Sequence, residues 1–474
     1  MKHPTFRGLL RLAAFLLGLA LIVAFANTFC IKTDIYAALT MAEVKARSDI
    51  EVAFVGSSIV RDHFNADMIS KEIGKTCFAL GIPCGMLQGN IASTRELYRK
   101  NSPEWTILVI EPFTVDSAKE GIEGQYDLLP FLSSPFEQLR YYYSVAREDG
   151  WYVDRAFMFR DYAVDSFGEF METVGMHLRP FQTYERIRPT LDPRMTYMGS
   201  GYSRCDTDER ATEMVRQQII REYTGYVYDL LPQTREMLLE YRDLVAQKGS
   251  KLLVFIYPNM TAHNLAIPGF LDYADALTRF CGENDMPCVN FSYAKPELYS
   301  RETDQYYFDL YHMVGEGADI FSASFCKFFK AYLAGEDTSD WFYADKWAYF
   351  SSVSFITNCW IQTYFPDGEW NGAWEQSRQA VAAASENGAR DVYAANCNHG
   401  PSVAPEYRFF LRDEATGAET PLTDWQAEGI LACDKGALTG QCIRVYARAQ
   451  GSADDPSLYF DFRPGIDEEP CLQV

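Results

Sequence analysis

Ser58 follows a short apolar run, residues 51–55, in the order Gly56-Ser57-Ser58. A serine placed where a buried strand turns into a helix holds its hydroxyl at an open sheet edge. The first backbone N–H groups of the coming helix have no intrahelical acceptor. There a hydroxyl can attack an acyl carbon while its own N–H holds the oxygen that becomes negative. Asp309 and His312 stand three residues apart in Asp-Leu-Tyr-His. That spacing lets one turn bring the carboxylate to Nδ1 and leaves the far nitrogen to take a serine's proton. Each piece has a plainer reading, Ser58 as a helix cap and Asp309 as a cap with His312 at the surface. Together they supply nucleophile, base and orienting acid, a candidate triad of Ser58, His312 and Asp309.

Such a triad needs a rigid scaffold. Apolar runs at 51–55, 77–82, 106–111, 251–257 and 287–291 have the length and bounding turn residues of buried parallel strands. Helical patterns lie between several of them. The clearest spans Asp206 to Gln247 with Pro232 as a break, and a last helix is expected from Glu316 to Leu333. Strands alternating with helices predict an α/β domain with a parallel sheet. Ligands of such sheets bind at the C-terminal edge. Glu111 and Asn259 follow two of the runs at that edge and are candidate substrate contacts, although Asn259 also suits an Asx turn. His63 reads as structural. Residues 113–205 interrupt the alternation and are rich in Tyr, Phe and Arg, which predicts an insertion lying over that edge as a lid. Within and beside it, Arg179, Arg186, Arg188, Arg194 and Arg204 form a basic cluster. Arg186 and Arg188 are candidates for docking an anionic polymer, with solvated surface as the alternative. Beyond residue 340, alternating runs at 347–353, 391–397, 407–413, 441–449 and 457–462 predict an antiparallel β-sandwich.

The order of these pieces resembles the SGNH-hydrolase superfamily, also called GDSL-type, whose fold is a flavodoxin-like three-layer α/β sheet. Gly56-Ser57-Ser58 stands where that family carries Gly-Asp-Ser, which implies Ser58 as nucleophile. Leu80-Gly81-Ile82-Pro83-Cys84-Gly85 stands for the second block and implies that the Gly85 N–H joins that of Ser58 in the oxyanion hole. Asp309 and His312 match the last block. The third block departs: Ile110-Glu111-Pro112-Phe113 replaces Gly-x-Asn-Asp, so the usual oxyanion Asn is missing. The Gly-Ser-Ser form, the apolar N-terminus and the aromatic insertion look more like envelope acyl-transfer branches, such as the D-alanyl transfer protein of teichoic acid biosynthesis. The resemblance covers about residues 50–335. It implies a serine acyltransferase or esterase modifying an envelope glycopolymer, without cofactor or metal, served by a polytopic membrane protein that delivers activated acyl groups. The second reading is a non-catalytic module binding envelope polysaccharide, favoured by the missing Asn and the net acidity.

The chain of 474 residues carries a formal net charge of -22, a field that repels phosphate backbones and argues against nucleic-acid binding. Its length predicts more than one domain. Lys2, His3, Arg7 and Arg11 precede an apolar run from Leu12 to Phe29, about the ~17–25 residues that cross a bilayer. The basic flank predicts a single-pass anchor with a cytoplasmic N-terminus and the rest of the chain outside. The alternative is a cleaved signal, for which Ala24-Phe25-Ala26 offers a site. The expected division is a tail and anchor at 1–30, a stalk at 31–49, the SGNH-like domain at 50–337 and the β-sandwich at 340–474. The 12 cysteines lack metal-ligand spacing. Export and the close pairs Cys77/Cys84, Cys281/Cys288 and Cys433/Cys442 predict at least one disulfide, with Cys281–Cys288 leading.

Overall fold

The structure, a computed structural model, describes residues 6–32, 34–82, 86–111, 126–148, 163–211, 229–261, 264, 270–309, 311–364, 370–371, 378–452 and 458–466. The apolar runs become strands because both of their faces are covered. In chain order these are β1 (Val52–Gly56), β2 (Cys77–Gly81) and β3 (Trp105–Ile110), then, beyond a hairpin of β4 (Met195–Gly199) and β5 (Tyr202–Cys205), β6 (Lys251–Ile256) and β7 (Cys288–Asn290). Five of them form one parallel sheet in the order β2-β1-β3-β6-β7. Every residue of β1, β2 and β3 is buried. Val55 pairs with Leu108 and Ile110 with Ile256. The ends of β1, β3 and β6 therefore lie side by side, and the residues that follow them share one edge.

The helices are α1 (Phe6–Phe29), α2 (Ile35–Ala46), α3 (Ser58–His63), α4 (Ala66–Ile73), α5 (Leu87–Leu97), α6 (Pro135–Glu148), α7 (Phe167–Leu178), α8 (Pro180–Ile187), α9 (Pro232–Gln247), α10 (Phe270–Glu283) and α11 (Gly315–Ala334). Alternation along the strands divides the core. Leu80, Leu108 and Val254 pack with Leu39, Leu97 and Leu238, from α2, α5 and α9. Phe54, Ile107 and Phe255 pack with Ile59, Ile69 and Phe325, from α3, α4 and α11. Helix α11 ends in Gly335 with φ 72°, the left-handed cap that glycine adopts without strain.

Several expectations need correction. Residues 31–49 are not a stalk: Ala38, Leu39, Met41 and Val44 of α2 are buried in the domain core. The break expected at Pro232 is there, and α9 starts with it in its first turn, where a missing N–H costs nothing; the start expected at Asp206 fails, since residues 206–211 are not helical, and 212–228 lie outside the described residues. Within the described part of the insertion, α6 packs on α5, α7 and α8 pack on α2, and the β4–β5 hairpin lies along the outer edge of β2, where the Ala79 N–H donates to the Ser200 carbonyl at 2.8 Å. There Gly201 (φ +76°) approaches so closely that a Cβ would stand 1.9 Å from the Ala79 oxygen. Cys281 and Cys288 are free thiols, as are the other cysteines among the described residues. A hydrogen bond to Cys281, together with burial, pushes the Cys288 thiol well up. Cys433 and Cys442 lie in strands of different sheets, and Cys84 lies outside the described residues.

Residues 347–353 are not a strand. Helix α12 (Lys346–Ser351) forms there, capped by Asp345, whose carboxylate accepts the Ala348 N–H at 2.8 Å. Its Tyr349, and Val353 just after it, join the α/β core, so that core extends past residue 340. The rest is antiparallel: β8 (Ile356–Tyr364), β9 (Trp370–Asn371), helix α13 (Arg378–Ala384), β10 (Arg390–His399), β11 (Pro405–Arg412), β12 (Glu419–Pro421), β13 (Ile430–Asp434), β14 (Cys442–Ala449) and β15 (Tyr459–Phe462). These strands make two four-stranded sheets, β13-β10-β8-β9 and β12-β11-β14-β15. Trp360, Tyr393, Phe409, Val445 and Phe460 form one apolar cluster shared by the two sheets. Among the described residues, Arg7–Phe29 is the one helical stretch long and apolar enough to cross a membrane, with mean hydropathy 2.5 and no buried share.

Candidate functional site

β1 ends in Gly56, and the chain turns at once into α3. Two glycines make the turn possible. A Cβ on Gly56 would meet the Val109 oxygen at 2.9 Å, and one on Gly81 would meet the Arg61 nitrogen at 2.4 Å. The turn therefore packs directly on β2 and β3. Ser57 caps α3, its Oγ accepting the Ile59 N–H at 3.3 Å. Ser58 is the first residue of the helix, and its hydroxyl is left for other partners.

The loop before α11 brings the base to it. Tyr307 pairs with Met313, and the Phe308 N–H donates to the His312 carbonyl at 3.0 Å. Inside that narrow loop the Asp309 carboxylate accepts the N–H groups of Tyr311 and His312, each at 2.7 Å. The same carboxylate lies 2.9 and 3.1 Å from His312 Nδ1. Its job fixes the tautomer: Nδ1–H donates to Asp309, and Nε2 is left as acceptor. Ser58 Oγ stands 2.9 Å from that Nε2. Residues 254 apart in sequence thus meet at the C-terminal edge of the sheet.

Charge is arranged around the imidazole. Burial disfavours the imidazolium, but the hydrogen bond and charge of Asp309, with Asp62 adding, outweigh it, and the His312 pKa is raised above 6.5. Burial also acts on Asp309, and the hydrogen bonds from His312 and the two backbone N–H groups overcome it, so that the Asp309 pKa is lowered. Asp62, four residues beyond Ser58, places Oδ2 3.9 Å from His312 Nε2. Its carboxylate is held by Arg61 at 2.7 and 2.9 Å. The sequence reading missed Asp62; its signal was the spacing of four from Ser58, which returns to the same helix face.

His63 is structural, as read. It is fully buried, and its Nε2 accepts the Met313 N–H at 2.8 Å, tying α3 to the His312 loop. Burial holds it down to about 3, with the His312 charge adding, so it stays neutral.

Glu111 and Asn259 come together as neighbours, the Asn259 amide donating to Glu111 Oε1 at 3.2 Å. Both are buried. Burial pushes the Glu111 carboxyl up to about 7, against the Asn259 hydrogen bond and the His312 charge. Gly85 lies outside the described residues. The arginine cluster divides: Arg194 is paired with Asp192 and Glu209, and Arg204 with Asp206 and Asp319. Arg179, Arg186 and Arg188 are exposed at α8, and among the described residues no hydrogen bond or ion pair joins them to the triad.

A nucleophile, a base and an orienting carboxylate in hydrogen-bond sequence can carry out acyl transfer through a serine ester. No protein-family model matches the chain, and no curated protein matches it significantly.

Proposed function

We propose that this chain is a membrane-anchored, extracytoplasmic serine acyltransferase or esterase with an SGNH-type, flavodoxin-like three-layer domain, acting on an envelope glycopolymer. One observation carries the reading: Ser58 Oγ, His312 and Asp309 form a continuous hydrogen-bonded relay, at 2.9 Å on each side of the imidazole, at the edge where α/β sheets bind ligands. Ser58 attacks the acyl carbon, and its proton passes to His312 Nε2. As the bond to the leaving group breaks, that proton passes to the departing oxygen or sulfur. A sugar hydroxyl or water then attacks the ester, giving its proton to His312, and Ser58 is restored. The Ser58 N–H, with that of Gly85, would hold the oxyanion. Arg7 and Arg11 before the apolar stretch of α1 favour a cytoplasmic N-terminus. A single span offers no path for an activated acyl group, so a polytopic membrane protein is the expected supplier.

The block Ile110-Glu111-Pro112-Phe113 lacks the donor Asn usual in the family the chain resembles, and this favours a second reading, a binding module for envelope polysaccharide. A fluorophosphonate probe separates the two. Labelling of Ser58 in the intact chain, lost in Ser58→Ala, supports transfer; a folded chain that never labels leaves the binding module.

A further inference from the structure

Helix α1 has 24 residues, about 36 Å at ~1.5 Å per residue, against the ~30 Å of a bilayer's hydrocarbon. If it spans, its last residue, Phe29, lies at the bilayer surface. What touches Phe29 is therefore at the surface too. The Phe29 ring packs edge-on against His177 of α7, with centroids 5.3 Å apart. Just beyond it, the Val164 N–H donates to the Cys30 carbonyl at 2.9 Å, and the Thr173 hydroxyl donates to the Ile31 carbonyl at 3.3 Å. Lys32 pairs with Asp165 at 2.6 Å. The end of the span is tied to α7 and to the residues just before it.

Helix α7 turns its Thr173 and Met176 inward. Its outward face carries Phe167, Met171 and Leu178, which are 77, 47 and 70 % exposed. Positions 167, 171 and 178 fall within about 40° of one another at ~100° per residue, so they form one stripe. The next helix adds exposed Phe181, and Phe136 and Leu139 of α6 are exposed as well. Helix α6 starts close by, since Phe131 before it stacks on the same His177 with centroids 5.0 Å apart.

We propose that the outward stripe of α7, with Phe181 beside it, is a membrane-docking face that lies in the lipid interface next to α1. This rests on the anchored reading of α1 given above. The occupant is lipid because the stripe lies beside the end of the span and away from the core. An amphipathic helix in that place sinks its apolar side chains into the headgroup boundary, and aromatic rings favour that depth. The consequence for function is orientation: two attachments, a span and a flat helix, hold the domain against the bilayer rather than letting it swing on a tether.

The test uses the full chain in phosphatidylcholine nanodiscs containing a phosphatidylcholine with a diazirine in its acyl chain. After irradiation, adducts are mapped by mass spectrometry. Adducts are expected in α1 and in residues 163–182. The pair Phe167→Glu and Leu178→Glu should lower the second set several-fold, leaving α1 adducts and the melting temperature unchanged. In the unsubstituted protein, adducts in α1 without any at 163–182 overturn the docking face and leave the anchor standing. Adducts in neither overturn the anchored reading and the docking face with it.

Discussion

Two carboxylates at one sheet edge have opposite fates. Asp309 sits in a tight loop, accepts two backbone N–H groups and faces His312 Nδ1, and its pKa is lowered. Glu111 follows β3, with the amide of Asn259 on one oxygen, and burial raises it to about 7. The difference lies in burial: it dominates at Glu111, whereas at Asp309, whose side chain is partly exposed, the hydrogen bonds from His312 and two backbone N–H groups outweigh it. Asp309 is built to stay ionised and stabilise an imidazolium. Glu111, raised to about 7, carries its proton below that pH, where it can donate a hydrogen bond. In acid–base sites, environments that push two carboxyls apart assign them different tasks.

The strongest way to break this contrast is to remove what Asp309 serves. Ser58→Ala or His312→Ala should each lower kcat by about 10⁴–10⁶, and the double variant should fall little further, because the members act as a unit. Steady-state hydrolysis of an activated ester measures this, and additive losses would separate the two residues.

Asp309→Asn should come next, with a loss approaching ~10⁴ at neutral pH through the wrong tautomer. The sign of the pH effect follows from His312. It accepts a proton only when neutral, and its raised pKa places the acid limb of kcat/KM above 6.5. Without the Asp309 charge the limb should move to lower pH. A limb that stays in place would mean that His312 is not the titrating base.

Glu111→Gln sharpens the other side. The wild-type carboxyl, raised in the folded state, contributes stability that is present below its unfolded value, near 4.5, and is lost as pH rises through about 7. Above that, the ionised, buried group costs up to about 3 kcal/mol, at 1.36 kcal/mol per pKa unit. The variant should therefore melt higher than wild type at pH values above 7, with little difference at pH values below 4.5. Equal shifts at both pH values would contradict the burial account.

The pairs of runs and turns that were legible in the sequence are those set by local chemistry. The five buried runs became the five parallel strands, and Asp309 found His312 because a short loop is enough. What was not legible depended on distant partners. Residues 35–46 carry enough small and apolar residues for a surface helix or a core helix, and only contact with Leu80 and Leu97 decides for the core. Residues 347–353 alternate like a strand, yet Asp345 caps a helix there and the α/β core takes Tyr349. Asp62 was hidden because its role depends on His312, which lies 250 positions away. The cysteine pairs were close in sequence, but sequence distance says nothing of which sheet each strand joins.

Ser57→Ala should be the mildest change. It removes one cap hydrogen bond, costing about 0.5–2 kcal/mol of stability, with kcat close to wild type. A large loss of kcat at full folding would shift the nucleophile's neighbourhood from Ser58 to Ser57.

The most direct measurement is capture of the ester itself. The full chain is mixed with an activated acetyl ester, quenched in acid, digested and mapped by mass spectrometry. One acetyl group is expected on the peptide that contains Ser58, located to that residue, and absent in Ser58→Ala. Turnover of the ester with acetyl found on another residue, or with none at any quench time although Ser58→Ala loses no activity, would contradict the account.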